Sequence, residues 1–165
     1  MTTSIIGFEK YKDSNASSLC LGTFDGFHKG HQKLAENAEF MLTFNPHPKN
    51  IVSPDTPIER LTFPDEQAFF YPNLLVIEFS KTIVKMSATE FLTHFIEPLR
   101  PRKLTIGYDF RFGKHGQGNA QTLTEWGNNN NCEIIEIDIQ CHTDNTPYKS
   151  SIIRKKLKED PNYAI

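Results

Sequence analysis

Two hydrophobic patterns alternate along the chain. Ser18 to Gly22, Phe40 to Phe44, Leu74 to Phe79 and Lys103 to Ile106 are short, nearly continuous apolar runs, the pattern of strands covered on both faces. Glu133 to Ile139 alternates apolar and polar positions and adds a fifth strand. The stretches between them read as helices. One runs from Lys29 to Phe40. A second opens at Ser87-Ala88-Thr89-Glu90, which has the form of a capping box, places Phe91, Leu92, Phe95, Ile96 and Leu99 on one face, and is ended by Pro101. Thr122 to Asn128 predicts a short helix. Ser150 to Lys158 predicts the last one, with two serine hydroxyls available to its free N–H groups. At Asn45-Pro46-His47-Pro48 two prolines remove donors and predict extended backbone, and Asn128 to Asn131 reads as a surface turn. The alternation predicts an α/β fold, a doubly wound parallel sheet of about five strands with helices on both faces.

Composition narrows the class of protein. With 165 residues, 38% of them apolar, and neither repeat nor Gly/Ser/Pro-rich linker, residues 1–165 read as a single domain with one real core. Eighteen basic and 20 acidic side chains leave a net charge of −2, which argues against a general nucleic-acid partner. Met1 to Asp13 lacks the apolar stretch of a secretory signal, and no run reaches the length of a membrane span, so no membrane association is expected. Cys20, Cys132 and Cys141 show no CxxC spacing and read as reduced thiols of a cytoplasmic protein.

The residues with chemical potential gather at predicted strand ends, where open parallel sheets bind ligands. In Gly22-Thr23-Phe24-Asp25-Gly26-Phe27-His28-Lys29-Gly30-His31 the glycines permit close approach of backbone to a ligand. The following helix start favours an anion, and His28, Lys29 and His31 can offer donors to a polyphosphate. An ordinary helix turn and a zinc site are the alternatives. Zinc needs three or four ligands, and neither CxxC nor HExxH is present, so no metal ligands are assigned. Asn45 to Pro48 forms either a stiff loop beside the phosphate site or a plain turn. In Gly107-Tyr108-Asp109-Phe110-Arg111-Phe112-Gly113-Lys114, Asp109 and Arg111 are site candidates, while Phe110 and Phe112 suit the core. Ser150, Ser151 and Arg154 share the first turn of a helix and can converge on phosphate oxygens, or else form a cap beside a solvated face of Lys155, Lys156 and Lys158.

GTFDGFHKGH resembles the nucleotide-binding signature of the HxGH nucleotidyltransferases, and specifically of bacterial FAD synthetases, whose N-terminal module is an FMN adenylyltransferase. Three segments strengthen the resemblance. Leu42 to Pro48 is similar to the family's TFxPHP strand end, Gly107 to Lys114 to its GxDFRFGK segment, and Lys149 to Arg154 to its SSxxIR helix start. The resemblance implies a Rossmann-like nucleotidyltransferase fold and transfer of AMP from ATP to the phosphate of FMN, giving FAD and pyrophosphate in riboflavin metabolism. A phosphate monoester is already largely anionic near neutral pH, so no general base is needed. Mg²⁺ is expected to accompany ATP, held mainly by substrate oxygens and water. By motif position the resemblance implies catalytic roles for His28, His31, Ser151 and Arg154. It implies ATP binding by Gly22, Thr23, Phe24, Lys29, Gly30, Asp109, Arg111 and Ser150, and flavin binding by Phe24, Asp25, Asn45, Pro46, His47 and Pro48. For Asp25 a second reading is orientation of its own loop through backbone hydrogen bonds.

The family usually continues into a riboflavin kinase module, whereas this chain ends at Ile165, soon after Arg154. FMN is therefore expected from elsewhere. The spans from His31 to the second strand and from Arg60 to Phe79 are shorter than in the family. A trimmed helix leaves room for a partner subunit, so a homo-oligomer is one expected assembly. Two other functions fit the same motifs: an HxGH transferase acting on nicotinate mononucleotide, pantetheine phosphate or a sugar phosphate, and a non-catalytic flavin- or nucleotide-binding remnant.

Overall fold

The apolar runs come together as one sheet in a computed structural model that describes residues 4–11, 15–71 and 73–162. Among the described residues the strands are β1 Ser4–Gly7, β2 Ser18–Leu21, β3 Phe40–Asn45, β4 Asn73–Glu78, β5 Lys103–Gly107 and β6 Glu133–Ile137. Their order is β1-β4-β3-β2-β5-β6, and every neighbouring pair is parallel. The five expected strands are present, and β1 adds a sixth at the edge beside β4. The helices are α1 Phe8–Tyr11, α2 Lys29–Ala35, α3 Pro48–Val52, α4 Pro64–Phe70, α5 Lys81–Lys85, α6 Ala88–Phe91, α7 Ala120–Asn130 and α8 Ser150–Glu159. α6 continues through a π turn, Leu92–Ile96, into a 3₁₀ turn, Glu97–Leu99.

Strand periodicity divides the interior in two. Leu19, Leu21, Leu42, Leu75, Ile77, Leu104 and Ile106 meet Phe91, Leu92, Phe95, Ile96 and Leu99 of the α6 run and Leu123 of α7. On the opposite face Cys20, Met41 and Leu74 meet Leu34 and Ala35 of α2 and Ala68 of α4. Each fully buried leucine in these layers contributes about 1.5–3 kcal/mol. Because β2, β3 and β4 step one way across the sheet while β5 returns to the other side of β2, the connections diverge beyond the carboxyl ends of β2 and β5. Such a switch point opens a crevice for ligands.

The capping box at Ser87 forms as expected: Ser87 Oγ accepts from Glu90 N at 3.2 Å and Glu90 Oε2 accepts from Ser87 N at 2.7 Å. Other elements differ from the sequence-based expectation. α2 stops at Ala35 rather than Phe40, because Glu39 N turns to the carbonyl and hydroxyl oxygens of Ser18 and Phe40 pairs with Leu19 in the sheet. Ahead of Pro48 the backbone of His47 is extended as expected, with φ of −59° and ψ of 129°, while Pro48 itself starts α3, where its lack of N–H costs nothing. Asn128 to Asn130 are the last turn of α7 rather than a surface turn, and Asn131 closes the helix in the left-handed conformation. At the start of α8 no side chain caps the helix, and Ser150 Oγ donates instead to Asp25 O at 2.7 Å. Among the described residues no helix is long and apolar enough to cross a membrane.

Candidate active site

The loop from β2 to α2 turns sharply. Phe24 and Phe27 have φ of 49° and 38°, and Gly26 has φ of 86°. Two left-handed aromatic residues cost on the order of 1–3 kcal/mol each, so other segments must hold the loop. Gln67 of α4, fully buried, donates from Nε2 to the carbonyls of Thr23 and Phe24, each at 3.1 Å. Thr43 Oγ1 of β3 donates to Thr23 O at 3.1 Å, and Gly26 N donates to Thr62 Oγ1 at 2.9 Å. Asp25 is also fully buried. Its Oδ1 accepts from Leu61 N at 2.7 Å and Thr62 N at 3.1 Å, while its Oδ2 pairs with Arg154 Nη2. Arg154 Nε donates to Glu59 O at 2.8 Å. Asp25 thus ties together the β2–α2 loop, the 58–63 segment and α8.

The tethered loop sets the two histidines. Their rings stack 3.7 Å apart at 17°, and the edge of Phe24 packs on His31 with centroids 5.5 Å apart. Gly30 packs closely under the His28 ring, since a Cβ there would lie 3.2 Å from that ring and press on it. Burial pushes His28 down to about 4, despite the opposing pull of a backbone hydrogen bond and of Asp25 and Asp109. His31 lies well below the ordinary histidine range because of burial and the neighbouring His28. Both rings are therefore neutral at pH 7, and Nδ1 of each is buried without a hydrogen-bond partner. His47, also lowered by burial to about 4, accepts from Lys49 N at 3.2 Å.

A cavity of about 730 Å³ opens at the strand ends. Gly22, Thr23, His28, Gly30, His31, His47, Pro48, Asp109, Arg111, Ser150, Ser151 and Arg154 all line it, so four separate sequence motifs meet in one space. Five expected residues do not. The Phe24 ring is fully buried beneath Gly22 and His31, where it supports the loop rather than facing a ligand. Asp25 lies inside the tether, in keeping with the loop-orienting reading. Lys29 is exposed outside the cavity, 5.7 Å from the Tyr148 ring centroid. Asn45 and Pro46 line an adjoining cavity of about 720 Å³, which shares His47, Ile58 and Arg154 with the first.

Sequence reasoning missed the apolar wall of the main cavity, formed by Val52, Phe79, Ile83 and Phe91 together with Phe110 and Phe112. These positions carry no motif signal beyond hydrophobicity and look like core. It also passed over Tyr108 and Lys149, whose Nζ lies 3.7 Å from Asp109 Oδ2. Among the described residues no group of three or more His, Cys, Asp or Glu side chains is placed to hold a metal ion.

A family model described as FAD synthetase matches residues 10–151. The chain belongs to the FAD synthetase family. Among its relatives is the bifunctional riboflavin kinase/FMN adenylyltransferase of Buchnera aphidicola subsp. Schizaphis graminum, 30% identical over 173 residues that cover 94% of this chain and 55% of the relative. The proteins of the same name from Bacillus subtilis and Escherichia coli are 29% and 25% identical, over 69% and 89% of this chain and 42% and 51% of their own lengths. This FAD synthetase family member thus spans about half the length of the curated relatives it matches. Its fold is similar to that of a crystal structure described as a macrolide-efflux protein from Streptococcus pneumoniae (TM-score 0.75, 23% identity, covering 93% of this chain and 55% of that one). A pantoate-beta-alanine ligase from Francisella tularensis shares it more distantly (TM-score 0.54, 14% identity, covering 98% and 80%). At these identities the likeness concerns the fold alone.

Proposed function

We propose that this chain is an FMN adenylyltransferase, transferring AMP from ATP to FMN. The observation that carries the reading is the composition of the main cavity, apolar and aromatic at one end and rich in hydrogen-bond donors at the other. Membership of the FAD synthetase family supports it. The flat flavin ring suits the wall of Val52, Phe79, Ile83 and Phe91, and the phosphates suit His28, His31, Ser151 and the free N–H groups that begin α8.

An FMN phosphate oxygen attacks the α-phosphorus of ATP. The bond from that phosphorus to the bridging oxygen breaks, and its electron pair leaves with pyrophosphate. Because the attacking oxygen is already anionic, the protein's work is alignment and charge stabilisation. The buried imidazoles act here as neutral donors rather than as cations, aimed at the oxygens of the reacting phosphorus. Arg154, paired with Asp25, positions Ser150 and Ser151. Mg²⁺ would accompany ATP and supply further charge neutralisation, held mainly by phosphate oxygens and water. The other expected ATP contacts, Gly22, Thr23, Gly30, Asp109 and Arg111, remain part of this reading, as do His47 and Pro48 for the flavin. A cytoplasmic location belongs with it too.

The test is incubation of the purified chain with ATP, Mg²⁺ and either FMN or riboflavin, with chromatographic separation of the flavins. FAD from FMN, equimolar with pyrophosphate, is the expected result. Flavin bound without FAD formation would instead favour a binding remnant. Pyrophosphate release with another phosphate substrate but not FMN would favour a different transferase.

A further inference from the structure

The donor-rich end of the cavity is short of available positive charge. His28 and His31 are neutral, Lys29 lies outside, and Arg154 has committed Nη2 to the buried Asp25 carboxylate and Nε to Glu59 O. Arg111 lines the cavity, with Nη1 donating to Phe110 O at 2.8 Å and its other N–H groups left for ATP. Lys49 belongs to α3, beside Val52 on the apolar side. Yet a triphosphate brings several negative charges, and its β- and γ-phosphates gain one more when the α-phosphorus bond breaks.

Lys149 is placed to meet that need. It is the N-cap residue of the ten-residue helix α8, immediately precedes Ser150 and Ser151, and lines the cavity with them. Its ammonium rests between Asp109 Oδ2, 3.7 Å away, and the face of Tyr108, 5.3 Å from the ring centroid. Asp109 is exposed, and such a pair is worth about 0–1 kcal/mol, so a polyanion can take the ammonium from it at little cost. Tyr108 and Asp109 act as a parking place that keeps the lysine at the cavity wall.

We propose that Lys149 is the catalytic cation of this site, exchanging Asp109 for the β- and γ-phosphates of ATP and holding the pyrophosphate as it departs. The assignment rests on the adenylyl-transfer reading. Lysine suits the role as a mobile point charge with three donors.

Inorganic pyrophosphate with Mg²⁺, titrated calorimetrically into the full chain, tests the contact without FMN. Lys149→Met weakens pyrophosphate binding by about 10–100-fold, the loss of one hydrogen-bonded charge, and Lys149→Arg recovers most of it. In the FAD assay Lys149→Met lowers kcat by a similar factor and leaves KM for FMN unchanged, and recovery by Lys149→Arg together with a wild-type thermal unfolding curve separates this from a loss of folded enzyme. Wild-type affinity for pyrophosphate in Lys149→Met overturns the assignment. A chain that binds pyrophosphate through Lys149 but makes no FAD would keep this contact and remove the FMN reading. A chain that makes FAD with Lys149→Met unimpaired would remove Lys149 alone.

Discussion

His28 and His31 owe their chemistry to a short distance between two rings. Stacked 3.7 Å apart and buried, they cannot both take up a proton near neutral pH, so each presents a neutral N–H. A neutral donor aimed at the reacting phosphorus matters most when charge develops there. His31→Ala should therefore lower kcat by about 100-fold or more while the Kd for FMN stays within about threefold, measured by steady-state kinetics and flavin fluorescence titration. An equal loss in both would place the ring in ground-state binding instead. The His-x-x-His spacing was legible in the sequence, but the loss of charge was not. It depends on how deeply the folded chain buries the start of α2, which no spacing of residues shows.

At the scale of elements, the β2–α2 loop is a strained turn held from outside. Leu61, Thr62, Gln67 and Arg154 reach it from the 58–63 segment, α4 and α8. Asp25→Ala leaves Arg154, 18% exposed, without its counter-charge and removes the acceptor of two backbone N–H groups. We expect it to destabilise the fold by about 3–5 kcal/mol in urea denaturation. Arg154→Ala in the same background should add far less than it does alone, because the two groups act as one unit. The sequence made Asp25 visible through its motif, although the motif suggested a ligand as readily as a tether. Gln67 was invisible, since a lone glutamine in a short helix carries no pattern. α3, α4 and α5 were missed for a related reason: each spans only five to seven residues, too short to show helical periodicity.

Across the whole molecule, the buried histidines make stability depend on pH. His28 and His47 titrate near 6.5 in an unfolded chain and near 4 when folded, and His31 is lowered in the same direction. The unfolded chain therefore binds more protons between those values, so the stabilisation is complete above about pH 6.5 and is lost as pH falls toward 4. Thermal unfolding followed by circular dichroism should show the midpoint dropping across that window, and His47→Gln should flatten the slope. Sequence alone determined the parallel α/β class, five of the six strands among the described residues and the four motif groups. Buried strands must be continuously apolar, and the helix start and strand-end signals are local. Only the tertiary structure decided that Phe24 and Asp25 support the loop, that Lys29 lies outside while Lys149 lies inside, and that core-like aromatics wall the cavity. Whether a side chain faces a ligand or a neighbour is set by segments distant in sequence, and no local pattern encodes that choice.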